Sequence, residues 1–313
     1  MNASEARSEP KANGVTTVAA ASAVDRTWTV LELLRWTTQH FEAKGIDTPR
    51  LDAELLLAFA LGCDRLRLYL EFEKPVTPEE RGAFRALVRR RGDERVPVAY
   101  LTGTREFWSL ALAVTPDVLI PRPDTETLVA AVLARGPGPA AAFTALDLGT
   151  GSGAIALALA SERPRAALTA SDLSTAALAV ARKNAEALGL AERARFVAGD
   201  GFAPVAGERF DVIASNPPYV AEASASGLAP ELRHEPALAL FAPQDGLAVI
   251  VRLIDDAPRL VRPGGLVALE LGESQGDTVR ERFRAHGAYD DVRIRLDLGG
   301  RARMALARIG KVR

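Results

Sequence analysis

Apolar positions recur along this chain with two different periods, and the change between them marks its organisation. From Thr27 to about Gly92 the spacing is helical. "TVLELLRWTTQHF" sets Val30, Leu33, Leu34, Trp36 and Phe41 on one broad face. "PRLDAELLLAFALG" opens near Pro49 and closes at Gly62, a proline where helices start and a glycine where they stop. In "TPEERGAFRALVRRRG" Thr77 is the expected N-cap, Pro78 the first helical residue, and Glu80 follows the cap at capping-box spacing. "REFWSLALAVTPDVL" then drops to a period of two, with a turn at Trp108-Ser109, which predicts a hairpin.

From about Leu128 strand-like and helix-like pieces alternate. The pattern predicts strands over 143–148, 167–171, 194–198, 210–214, 266–271, 289–296 and 302–308. It predicts helices over 154–161, 175–188, 246–261 and 275–286. Such alternation implies βαβ units and a mainly parallel sheet covered on both faces. Only "DLGGR" separates the last two strands, too short for a crossover helix, so they are expected as an antiparallel hairpin at the sheet edge. The expected class is α/β, seven-stranded with an antiparallel last strand, preceded by a small helical domain.

Composition removes some possibilities. The 313 residues carry 39 Lys and Arg against 40 Asp and Glu, a net charge of -1. Near-neutrality argues against a protein built to neutralise a nucleic-acid backbone, so nucleic acid is not expected as a substrate. Arg89-Arg90-Arg91 reads as a solvated helix end. Cys63 is the single cysteine, which excludes an intramolecular disulfide and a Cys-rich metal site. His40, His234 and His286 lack metal-ligand spacing, so no metal is expected. No apolar run approaches the ~20 residues that cross a bilayer. The Ala-rich opening carries Glu5 and Glu9 and no leucine-rich segment. A disordered tail over 1–24 and a cytoplasmic location are the expectations.

The chemistry starts at "ALDLGTGSGAIALALA". Gly149, Gly151 and Gly153, with Thr150 and Ser152 between them, form a loop that lets a ligand approach the main chain. The following helix turns free N–H groups toward it. Nineteen residues beyond Gly153, Asp172 stands at the end of the second strand, where a carboxylate accepts from both hydroxyls of a ribose. The spacing is Gly-x-Gly-x-Gly, not the dinucleotide Gly-x-Gly-x-x-Gly. Asp147 at the strand end would repel a pyrophosphate but suits an amino group and a sulfonium. These residues favour S-adenosylmethionine over NAD. In "GDGF", Asp200 follows the third strand, placed to accept from an adenine amino group.

"SNPPY" closes the fourth strand, the natural neighbour of the first, so Asn216, Pro217, Pro218 and Tyr219 are expected beside the cofactor's methyl group. A planar amino group has a delocalised lone pair and is a poor nucleophile. Asn216 Oδ1 and the Pro217 carbonyl can accept its two N–H protons, and Tyr219 can pack on its plane. Adenine, cytosine and the amides of glutamine or asparagine all present such a group.

The chain resembles the release-factor glutamine methyltransferase family, the PrmC/HemK proteins, from about Thr27 to Arg308. The resemblance rests on "RVPVAYLTGTREFWSLALAVTPDVLIPRPDTETLV", "LDLGTGSGAIALALA", "SNPPYV", "HEPALALFAPQDGL", "RPGGLVALELGESQG" and "DLGGRARMALA". It implies N5 methylation of the glutamine in the Gly-Gly-Gln motif of class I peptide chain release factors, with S-adenosylmethionine as donor. It implies that 149–153, Asp172 and Asn216 hold the cofactor, and that Asn216 through Tyr219 receive the glutamine. The domains then read as a tail over 1–24, a helical substrate-recognition domain over 25–92, a hairpin linker over 93–115 and a Rossmann-like methyltransferase domain over 116–313. Phe107 and Trp108 either line the substrate entrance or pack against the sheet. At Gly201 the family often has a bulky aromatic, which makes the neighbouring Phe202 the candidate to replace it. Two other readings share these motifs: an adenine-N6 methyltransferase, which needs a basic surface and a base-flipping clamp, and a non-catalytic module that binds the cofactor.

Overall fold

Two capping boxes start the helical part of the chain. Thr29 accepts from the backbone of Glu32 and heads α1 (Val30–Ala43), and Thr77 does the same with Glu80 at the head of α4 (Pro78–Gly92). Between them lie α2 (Pro49–Ala60) and α3 (Arg65–Leu70), the latter a six-residue helix too short to show a period. The computed structural model describes residues 27–297 and 299–310, so the expected tail over 1–24 lies outside the described residues. Leu34, Phe41, Leu56, Leu57 and Phe84 form the core of these helices, and Val96 and Leu101 of α5 (Val98–Thr102) and the turn before it join them. Trp36 departs from the expected face. It is half exposed and stacks on His40 at 5.1 Å, one turn along the surface of α1.

Arg91 departs too, for an electrostatic reason. Arg89 and Arg90 are solvated, but Arg91 turns inward and its Nε meets the buried Asp52 carboxylate of α2 at 2.7 Å. Its Nη1 reaches Glu231 at 2.7 Å, and Arg95 Nη2 reaches the same carboxylate at 2.8 Å. Glu231 lies in a 3-10 turn (Pro230–His234) well beyond the helical region, so this cluster ties two distant parts of the chain.

The hairpin forms as expected, from strands Thr104–Phe107 and Leu110–Ala113. Trp108 and Ser109 take φ of 52° and 58°, the positive values that a two-residue turn matching strand twist requires. Phe107 is buried in the main core, and Trp108 Nε1 donates to Glu162, so the hairpin aromatics pack against the sheet layer. Helix α6 (Pro123–Arg135) follows, where no element was expected.

The main sheet consists of β1 (Phe143–Leu148), β2 (Ala166–Asp172), β3 (Ala194–Ala198), β4 (Phe210–Ser215), β5 (Val261–Glu270), β6 (Tyr289–Leu296) and β7 (Ala302–Ile309). Their order is β6-β7-β5-β4-β1-β2-β3, and β7 runs antiparallel to both neighbours. Helices α7 (Ala154–Glu162) and α8 (Thr175–Ala187), the short α9 (Ala237–Leu240), α10 (Ala248–Asp256) and α11 (Gly276–His286) complete the fold. Two apolar cores cover the sheet, one with α6, α7 and the hairpin, the other with α10 and α11. The helix expected over 246–261 stops at Asp256 and continues only as the 3-10 turn Ala257–Arg259, because Pro258 has no N–H for the helical ladder. Strand β5 consequently begins at Val261, with a register shift before Leu266.

The Arg91 cluster carries a stability test. Arg91→Ala leaves Asp52 buried with only Thr48 Oγ1 donating to it. A loss of about 3–5 kcal/mol in denaturant unfolding is expected. A loss below about 1 kcal/mol would mean that the pair is solvated in solution.

Candidate active site

The glycine loop is built by backbone bonds to the neighbouring strand. The N–H groups of Gly149 and Thr150 donate to Ser171 O at 2.8 and 2.9 Å, and Gly151 N–H donates to Asp172 Oδ2 at 2.9 Å. Gly149 and Gly151 take φ of 72° and 56°, and a Cβ on either would meet nothing within 4 Å. They are glycines for conformation. Gly153 also takes a positive φ, 86°, and in addition a Cβ there would lie 3.0 Å from Leu157 of α7 and 3.3 Å from Ala181 of α8, so both conformation and close packing require glycine. Gly149, Thr150, Gly151, Ser152 and Asp172 line a cavity of about 240 Å³. Asp172 Oδ1 accepts from Ser174 N–H at 2.8 Å, so its two oxygens hold one backbone bond each. A carboxylate has about four acceptor positions, which leaves two facing the cavity for a diol.

Asp147 does not reach that cavity. It is 1% exposed, and its Oδ2 accepts from Thr150 Oγ1 at 2.6 Å and Ala156 N–H at 3.0 Å. It braces the loop from behind, with Oδ1 buried and unpaired among the described residues. Burial pushes its carboxyl up to about 7, against the two hydrogen bonds.

At the third strand, Asp200 and Gly201 line the cavity and Phe202 does not. Phe202 is 7% exposed in the core beneath the sheet, so it does not replace an aromatic at position 201. Arg252 of α10 stands there instead. A Cβ on Gly201 would lie 2.8 Å from Arg252 Nη2. Arg252 Nη1 bridges both Asp200 oxygens at 3.0 and 2.8 Å, which leaves acceptor positions on an exposed carboxylate that lines the cavity.

The tetrapeptide follows β4 directly. Asn216 and Pro218 face the cavity, while Pro217 is buried outside its lining. Asn216 Nδ2 donates to Thr125 Oγ1 at 3.1 Å, and Thr125 Oγ1 donates to Glu270 Oε2 at 2.7 Å. Tyr219 does not line the cavity either; its hydroxyl donates to Glu270 Oε1 at 3.2 Å behind the loop. Glu270 is 2% exposed, and burial holds its carboxyl up at about 7. The same proximity, with burial, pushes the Tyr219 hydroxyl well above its ordinary range. Gln275 Nε2 donates to Tyr219 O at 3.0 Å, and a Cβ on Gly246 would sit 2.1 Å from that oxygen.

Sequence reasoning missed Thr125, Glu270, Gln275 and Gly246 as supports of this loop. One signal was present: Glu270 is a carboxylate ending the apolar run "LVALE". Among the described residues no group of three or more His, Cys, Asp or Glu could hold a metal, and no helix is long and apolar enough to cross a membrane.

This sheet order, with an antiparallel β7, a glycine loop and a carboxylate after β2, defines a methyltransferase fold. Residues 125–252 match a family described as methyltransferase small domain, and residues 32–103 match the PrmC N-terminal domain. Among curated proteins, the chain is 42% identical to the release factor glutamine methyltransferase of Rhodopirellula baltica over 90% of this chain and 96% of that one. It is 45% identical to the release factor glutamine methyltransferase of Moorella thermoacetica over 89% of this chain and 98% of that one. A solved structure of the hMettl16 catalytic domain in complex with MAT2A 3'UTR hairpin 1 matches with a TM-score of 0.54, at 17% identity over 74% of this chain and 80% of that one. That last likeness is one of fold. The chain belongs to the release factor glutamine methyltransferase family.

Asp147 gives a pH test. Its folded value of about 7 lies above the ordinary 3.8 of the unfolded chain, so between these values the unfolded state binds fewer protons. The neutral acid therefore favours folding at low pH, and the advantage is lost as pH rises through about 7. From pH 5 to pH 8 the wild type is expected to lose about 2–3 kcal/mol relative to Asp147→Asn in denaturant unfolding. Parallel profiles for the two proteins would show that Asp147 is ionised in the fold throughout.

Proposed function

We propose that this chain methylates the side-chain amide nitrogen, N5, of the glutamine in the Gly-Gly-Gln motif of peptide chain release factors, with S-adenosylmethionine as methyl donor. The observation that carries the reading is identity of 42–45% across about 90% of the chain to proteins of that activity, in a chain that keeps the Asn-Pro-Pro-Tyr wall. The division of labour follows. Residues 25–92 grip the protein substrate, 93–115 link, and 116–313 carry the chemistry, in the cytoplasm where release factors work.

The residues fit the cofactor. Asp172 keeps acceptor positions for the ribose diol, and the open faces of Gly149 and Gly151 admit a ligand against the main chain. When bound, S-adenosylmethionine supplies a sulfonium methyl group: the new N–C bond takes the amide nitrogen's electron pair, the C–S pair stays on sulfur, and one amide proton leaves to water. The chain's part is to hold and orient. Asn216 Oδ1 accepts no hydrogen bond from a described residue and is available to one N–H of the substrate amide; the Pro217 carbonyl was expected to take the other, but Pro217 is buried outside the cavity lining. Holding that proton steers the nitrogen's electron density toward the methyl and fixes its approach. Tyr219 serves as a support of the loop.

Mass spectrometry of a purified release factor, incubated with this protein and S-adenosylmethionine, should find one added methyl on the Gly-Gly-Gln glutamine. Asn216→Ala should lower kcat/KM by about 10²–10³. An unmodified release factor with transfer to a nucleic acid would replace this reading by the adenine one. Cofactor binding with no transfer to either would leave a binding module. Asp172→Ala should weaken cofactor binding by about 10–100-fold in a calorimetric titration; unchanged affinity would remove its ribose role.

A further inference from the structure

Asn216 can serve the amide of a substrate in only one of its two orientations, and oxygen and nitrogen differ little in size. The orientation is decided two residues away. Glu270 is 2% exposed at the end of β5, and both of its oxygens accept, Oε1 from the Tyr219 hydroxyl and Oε2 from Thr125; in this ionised form the carboxylate has no hydrogen to give. Thr125 Oγ1, 2.7 Å from Glu270 Oε2, must therefore spend its single hydrogen on that oxygen. What remains on Thr125 is a lone pair, so the Asn216 atom 3.1 Å away has to be the donor, Nδ2. Oδ1 is left on the opposite side of the amide, without a described partner, on a residue that lines the cavity. The other Glu270 oxygen accepts from Tyr219, so one carboxylate fixes both ends of the tetrapeptide.

We propose that Glu270 is a positioning residue for the transfer. Acting through Thr125, it sets the Asn216 amide with its oxygen toward the substrate's N–H groups, and through Tyr219 it anchors the far end of the loop. Glu270 itself touches no substrate. The proposal rests on the amide-methylation reading above. Nearby charges leave the carboxylate in place: Arg303 Nε lies 3.3 Å from Asp124 and 3.1 Å from Asp297, engaged with those two acids.

The separation of roles is testable with Glu270→Gln, Thr125→Val and Thr125→Ser in the full-length protein, using a release factor as substrate. Glu270→Gln keeps a single acceptor for two hydroxyls that both need one, so either Thr125 or Tyr219 meets an N–H instead, and Thr125→Val removes the relay while keeping its shape. Each should slow single-turnover methyl transfer by about 10–100-fold, with the dissociation constant for S-adenosylmethionine within about twofold of wild type. Thr125→Ser, which keeps the hydroxyl, should recover most of the rate. The double variant Glu270→Gln with Thr125→Val should be less impaired than the product of the two single losses, because both act on one amide. Cofactor titration also reports whether each variant is folded. A Glu270→Gln enzyme at the wild-type rate would overturn the proposal, as would independent losses in the double variant. A parallel collapse of cofactor binding would reduce Glu270 to a structural acid. If the wild type itself transfers no methyl to the release factor, the function proposed above fails instead, and the two failures are distinct.

Discussion

Ser215 is the point in the sheet on which the site depends. It pairs with Leu148 of β1 on one side and Leu269 of β5 on the other, and Leu148 pairs in turn with Ser171 of β2. The next residue along each of these strands is Asn216, Gly149, Glu270 and Asp172. One register thus delivers the tetrapeptide, the glycine loop, the Glu270 carboxylate and the Asp172 carboxylate to the same edge. Ser215 Oγ donates to Leu148 O at 2.6 Å, which pins β4 to β1 where the alignment matters. A slip of one residue would turn every side chain of β4 to the opposite face of the sheet. The apolar strand interiors forbid that slip, so the chemistry inherits its geometry from the cores.

That edge is also where the protein accepts unfavourable burial. Asp147 and Glu270 are both nearly inaccessible, and desolvation pushes both carboxyls up to about 7. Each accepts two hydrogen bonds from groups that must stay fixed: Thr150 Oγ1 and the N–H of Ala156 in one case, Thr125 and Tyr219 in the other. An apolar residue at either place would suit the interior better and would leave those donors without acceptors. The two acids brace opposite walls of one cavity, one behind the glycine loop and one behind Asn-Pro-Pro-Tyr.

The strands and the glycine loop were legible because their signals are local: apolar runs, turn residues and glycines at fixed spacing. The seven strands, their antiparallel last member and the turn at Trp108-Ser109 follow from such signals. The supports of the site were not legible, since each joins residues remote in sequence. Thr125 and Glu270 are 145 positions apart, and Gln275 reaches the Tyr219 carbonyl across 56. No period or motif encodes such a pair. The misreadings have similar causes. Trp36 fits an apolar stripe, yet it stands half exposed among the described residues. Phe202 sits beside Gly201 in sequence but points into the core, while the guanidinium that fills the space comes from Arg252 on another helix.

The cavity wall is also tied to the helical part of the chain. After Tyr219 the chain crosses to the helical region before it returns to α10. Glu231 meets Arg91 and Arg95 there, and Arg233 Nη2 and His234 Nε2 both lie 2.8 Å from Glu94 O. One residue later, Glu235 accepts from Ile120 N–H at 3.0 Å and from Arg122 at 2.6 Å, just ahead of Thr125. Pro236, Leu238 and Ala239 then line the cavity. Neighbouring residues of one segment therefore fasten the helical region and face the site. A substrate that displaced the helices would pull on Glu231, and through it on the segment that carries Pro236, Leu238 and Ala239. The Arg91 side chain is 8% exposed, and parting it from Glu231 would remove one of its two carboxylate partners, so the fastening opposes displacement of the helices.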